Sequence, residues 1–146
     1  MAWYNNVDTI KMFPLGHRQK DTKGNEYAYL KGVASNAAGS WVIWEENYAT
    51  TLITADKVGP VGISMAAFDA TTKFGWAQIY GVNLIAKTDT VAADAGLFID
   101  GTAGRADDLG VAGDWIAGAW SMTADATNVA TVFLDYPSVY NNAYLT

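Results

Sequence analysis

The chain has no cysteine, so neither a disulfide framework nor a thiolate metal site is available, and stability must come from packing or from oligomerisation. Histidine is almost as scarce. The single His17 lies between Gly16 and Arg18, which leaves no His pair for a metal ion and one residue at most for a catalytic triad, so a solvated ring is expected there. Phosphate-cradling glycine motifs are missing too. Neither a P-loop nor a GxGxxG fingerprint occurs, and nucleotide binding has no support. The charge-free stretch from 32 to 44 is broken by Gly, Ser and Asn, well short of the ~18 apolar residues a spanning helix needs. The opening residues, MAWYNNVDTIKMF, carry no basic segment followed by an apolar one, so no secretory leader is expected and a soluble chain with no membrane partner is the reading.

What is abundant is apolar and aromatic. With 51% hydrophobic residues, six Trp and eight Tyr, the 146 residues suffice for one folded domain that buries roughly two-thirds of its unfolded surface. The net charge of -6 is unevenly spread. Residues 1–31 carry five basic groups against three acidic, a balance of +2, and residues 32–146 carry four against twelve, a balance of -8. An acidic body repels phosphates, which argues against a nucleic-acid partner. The basic segment is either a solvated face or a docking strap for an acidic neighbour, with Lys11, Phe13, Arg18, Lys20 and Lys23 as its contact groups.

Residues 1–24 show no sustained period of 2 or 3.6, which predicts an extended N-terminal arm ahead of a β-rich body over 25–146. Strand-like runs follow the Lys23-Gly24-Asn25 turn: 27–33, 40–46, 50–54, 61–67, 75–81, 82–87, 97–100, 114–122 and 129–135. No helical pattern recurs between them, and the Ala-dense stretch 90–96 is too short for an independent helix and reads as loop. The class is therefore all-β, a single β-barrel or β-sandwich-like domain with the arm attached. Within it, Trp41 and Ile43 alternate with Val42 and Trp44, so both faces of that strand are expected to be covered. The segment from Val58 to Gly81 reads as a hairpin turning near Asp69-Ala70-Thr71-Thr72. A faint repeat links Gly62 and Asp69-Ala70-Thr71 to Gly118 and Asp125-Ala126-Thr127.

Reactive constellations are weak. Gly62-Ile63-Ser64-Met65-Ala66 brushes against a nucleophile elbow but has neither the strand-to-helix turn nor a later histidine. Glu45 and Glu46 are adjacent on a strand and point to opposite faces, so they cannot flank one glycosidic bond. Asp100, Asp107, Asp108 and Asp114 lie in a Gly-rich loop whose spacing fits no EF-hand, and turn formation explains them better than calcium. No catalytic, cofactor or metal residues are assigned. The tryptophans, Trp3, Trp41, Trp44, Trp76, Trp115 and Trp120, serve core, protein interface or sugar platform. Trp76, Gln78 and Tyr80 share one broad amphipathic strand face, which together with Trp120 is expected to form a subunit contact.

Pro14-Leu15-Gly16, the run Asp21 to Tyr29, Phe74 to Gly81, Ala92-Ala93-Asp94-Ala95-Gly96 and the Gly118 to Leu134 hairpin closing at Pro137 resemble small head decoration (cement) proteins of tailed bacteriophages, over most of residues 13–140. Residues 1–12 fall outside the resemblance. It implies a non-enzymatic, often trimeric β-rich protein on the outer capsid surface, clamping neighbouring major capsid protein subunits with no cofactor. An arm with a compact body suits such bridging, because an arm can add a strand to an exposed sheet edge. The alternative is a carbohydrate-binding or adsorption module of a virion fibre or tail, and an enzyme is the weakest reading.

Overall fold

The Trp41–Trp44 strand is buried on both faces, as its alternation predicts. The computed structural model describes residues 2–140. In chain order the strands are β1 (Arg18–Lys20), β2 (Glu26–Lys31), β3 (Trp41–Trp44), β4 (Thr50–Leu52), β5 (Gly59–Ser64), β6 (Phe74–Lys87), β7 (Gly96–Ile99), β8 (Ala106–Asp107), β9 (Trp115–Ser121) and β10 (Val129–Val139). They pair antiparallel in the order β1-β2-β6-β5-β10-β9-β7-β8, and β3 joins β5 to β4. The sheet does not close. It folds over on itself as a β-sandwich-like single domain, which decides between the two closures the sequence left open.

Two cores lie on either side of β3. Trp41 and Ile43 join Ile53, Leu97, Ile116, Val132 and Leu134 in the larger. Val42 and Trp44 join Ala28, Leu30, Phe68, Ala77 and Ile79 in the smaller. The buried Trp41 indole donates to the carbonyl of Lys87 at 2.9 Å, so its one polar atom is satisfied inside the fold.

The expected strands 75–81 and 82–87 are one strand. Gly81, at φ +103, bends β6 instead of ending it, and β10 pairs along the far half from Tyr80 to Lys87. At the bend the sheet forks. β5 pairs with β6 at Ile63 and Ser64 and with β10 at Gly59 and Pro60, while β6 and β10 pair with each other beyond it. Gly118 (φ +82) lies where the β9–β10 register breaks, and only glycine fits there, since a Cβ would sit 2.6 Å from the Asp135 carbonyl oxygen. Its counterpart in the sequence repeat, Gly62, lies inside unbroken β5. The aspartates differ as well: Asp69 pairs with Lys73 at 2.8 Å, whereas Asp125 accepts from Thr88 and Thr90. The repeat does not extend to geometry.

Residues 2–24 do not stand off the body as an extended arm but pack on it. Asp8 exchanges both backbone hydrogen bonds with Phe74 at 2.8 Å, the Tyr29 hydroxyl donates to the Asp8 carboxylate at 2.7 Å, and residues 18–20 are a strand on β2. Trp3 meets Tyr27 and Trp76 edge-on with ring centroids 5.3 and 4.9 Å apart, Tyr4 stacks on Tyr27 at 4.6 Å, and Phe13 lies 5.3 Å from both Tyr29 and Trp76. The segment covers the outer face of β2 and the first half of β6. It lacks periodicity because it is held at separate anchor points and not along a ladder.

Candidate interaction surface

Beyond the bend, β6, β10 and β9 lie side by side with one face on the larger core and the other open. Asn83, Val132, Leu134, Ala119 and Ser121 point inward and are buried. Alternation therefore turns Val82, Phe133 and Trp120 outward, and the register sets these three directly opposite one another across the strands. Trp120 stacks on Phe133 (4.9 Å, 23° between planes), Phe133 meets Tyr80 edge-on at 5.6 Å, and Tyr80 lies 5.2 Å from Tyr136. The Arg18 guanidinium caps the row, 5.9 Å from the centre of the Tyr136 ring.

This row is bordered by exposed apolar side chains. Leu84 is 70% exposed, with Val82, Met122 and Val129 also open to solvent. Leu84 stands out because the β6–β10 register breaks there, placing Leu84 and Ile85 of β6 opposite Thr131 alone. A continuous aromatic and aliphatic patch on a rigid sheet is the usual form of a protein contact surface and an uncommon one for bare solvent. Charge is sparse but placed: the Glu26 carboxylate, as hydrogen-bond partner, raises the Tyr136 phenol above its ordinary value, with burial adding to the effect.

The expected contact residues divide. Tyr80 and Trp120 belong to the row, but Trp76 and Gln78 are 2% and 1% exposed and form no subunit contact surface. Trp76 is roofed by Trp3 and Phe13, so the N-terminal segment supplies intramolecularly the cover assigned to a neighbouring subunit. Gln78 is held inside by the bend: its Nε2 donates to the carbonyls of Tyr80 (3.0 Å) and Val82 (3.1 Å). Of the basic segment, Lys11, Arg18, Lys20 and Lys23 are exposed, Phe13 packs on the aromatic cluster, and only Arg18 meets the row. His17 is exposed but stacks on Phe13 with ring centroids 5.4 Å apart. Phe133, Tyr136, Val82 and Leu84 complete the row beyond the residues expected from sequence. The alternation Tyr80-Val82-Leu84 is the signal for the two on β6, concealed when the strand is cut at Gly81, whereas Phe133 and Tyr136 of β10 join through pairing with distant strands and through ring contacts.

The reactive candidates occupy structural positions. Ser64 lies buried within β5. Asp100, Asp107, Asp108 and Asp114 each accept a backbone N–H, from Thr102, Leu109, Ala92 and Asp56 respectively, and so hold their loops. Burial, with Asp100 beside it, pushes the Asp107 carboxyl up to about 6. Among the described residues no three His, Asp or Glu side chains converge as metal ligands, and no helix is long and apolar enough to cross a membrane.

No family model matches the chain, and no match is found among curated proteins or solved structures.

Proposed function

We propose that this chain is a structural contact protein without catalytic chemistry, which decorates the outside of a tailed-bacteriophage head and stabilises it by bridging major capsid protein subunits. The observation that carries the proposal is the open aromatic face of β6, β10 and β9. One residue of the basic segment supports this reading, Arg18, which lies on Tyr136 next to Tyr80, and two of the expected interface residues, Tyr80 and Trp120, belong to the same row. That makes it one surface, apolar at the centre with a cation at its end, and suited to an acidic-rimmed coat protein. Each copy can bind modestly, because linking several copies, as in a homotrimer, raises avidity by effective concentration. The test is co-sedimentation with tailed-phage heads stripped of decoration proteins. Wild type pellets with the heads and Trp120→Ala and Leu84→Glu do not; equal pelleting of all three rejects the proposal.

A glycan-binding adsorption module is the second reading, favoured by the Trp120–Phe133 stack, because sugars bind on aromatic faces. Trp76 has no part in it, being buried. Binding on a glycan array that disappears with Trp120→Ala would replace the first reading with this one.

A further inference from the structure

A knob and a groove lie on opposite faces of the β1–β2 edge. Residues 9–11 loop outward between two anchors, the Asp8–Phe74 backbone pair and the Met12 N–H, which donates to the Tyr29 hydroxyl at 3.2 Å. The loop carries Ile10, 75% exposed, and exposed Lys11, and the side chain of Met12 at the second anchor is 65% exposed. Such a tethered apolar tip loses little conformational freedom on docking. Where the sheet forks, a groove of about 370 Å³ opens between Trp44, Val58, Pro60, Ile79 and Pro137, with Arg18 as its one charged wall. An adjoining hollow continues over Glu45, Glu46 and Tyr48, with Arg18 again on its wall, so its two carboxylates outnumber its one cation.

We infer that the knob of one copy docks in the groove of another, Ile10 and Met12 filling the apolar walls and Lys11 meeting Glu45 and Glu46. Charge complementarity selects this occupant: Lys11, Glu45 and Glu46 are all exposed, and none forms an ion pair among the described residues. The geometry also fixes the kind of assembly. Gln19 lines the hollow beside Met12 and Phe13, while its neighbour Arg18 lines the groove, and successive strand residues point to opposite faces. One copy therefore cannot offer knob and groove to the same neighbour. The contact is head-to-tail, the type that closes into a ring or propagates as a filament.

This inference rests on the contact-protein reading only for its use, and its test contains no phage particle, so the two fail separately. Sedimentation velocity of the full chain over a concentration series is expected to show self-association. Lys11→Glu weakens it about tenfold, Glu45→Lys/Glu46→Lys weakens it similarly, and the triple variant recovers it, as expected for charges facing one another across an interface. All three positions are exposed, and an unchanged unfolding midpoint checks that each variant is folded. A chain monomeric at every concentration, association indifferent to both reversals, or no recovery in the triple variant would overturn the inference. A monomer whose groove takes up an apolar dye assigns the groove to another partner and equally overturns it.

Discussion

The Asn83 side chain donates through Nδ2 to Oε1 of Gln78 at 2.9 Å, spanning the bend of β6 at Gly81. Gln78 in turn donates to two backbone carbonyls that flank the bend, and the Asn83 side-chain Oδ1 accepts the Ile85 N–H at 2.9 Å. Three backbone groups around the bend, the Tyr80 and Val82 carbonyls and the Ile85 N–H, thus find side-chain partners. The aromatic face lies beyond this bend, so two buried amides set where it points.

Replacing Gln78 with Leu leaves the Tyr80 and Val82 carbonyls and the Asn83 amide without these partners. A loss of about 2–3 kcal/mol is expected, the usual cost of stranding buried polar groups. Urea denaturation checks this, and Gln78→Leu/Asn83→Leu is expected to lose less than the sum of the single variants.

Trp76 and Trp120 separate core from surface. Trp76→Ala empties a buried site and is expected to cost about 3–5 kcal/mol, whereas half-exposed Trp120→Ala is expected to cost about 1 kcal/mol or less. Thermal unfolding of both variants measures the contrast. A larger loss for Trp120 would make that residue part of the core.

Removing residues 2–16 exposes Tyr27, Tyr29 and Trp76 together. The shortened chain is expected to bind a hydrophobic dye and to unfold at lower temperature, because these rings lose their cover. For that reason, loss of capsid binding on deleting 1–24 would not isolate a docking role for that segment. Point substitutions at Lys20 or Lys23, both exposed and outside the cluster, do so without opening it.

Asp107 gives stability an inverted pH dependence. Its folded pKa of about 6 lies above the ordinary carboxylate value, so the folded state holds the proton more tightly. This contribution is complete below the unfolded pKa and is lost as pH rises through the folded one, from about 4 to about 6. Asp107→Asn keeps an oxygen to accept the Leu109 N–H and is always neutral. It is expected to gain stability over wild type at pH 7 and to lose that advantage by pH 4, as measured by urea titrations across the range.

Much of the fold is legible in alternation. Trp41 to Trp44 announce a strand covered on both faces, and the later strands fall near their apolar runs, because burial on a sheet imposes a period of two. Legibility fails where backbone conformation overrides pattern. Gly81 looks like the end of a strand and is a bend within one, and no local rule reveals that Gln78 stabilises it. Trp3, Tyr4 and Phe13 have no period, since a segment pinned at scattered points needs none. The contact surface was half legible for the same reason: Tyr80 and Trp120 stand out as aromatics, but their grouping with Phe133 and Tyr136 depends on a register between distant strands.

Quantitative mass spectrometry of purified virions that carry this chain, with its copy number measured against the coat protein, tests the central claim most directly. A decorating protein bound through the aromatic face is expected in hundreds of copies for wild type and to be absent from heads assembled with Leu84→Glu. A handful of copies, or full occupancy by Leu84→Glu, would contradict the account.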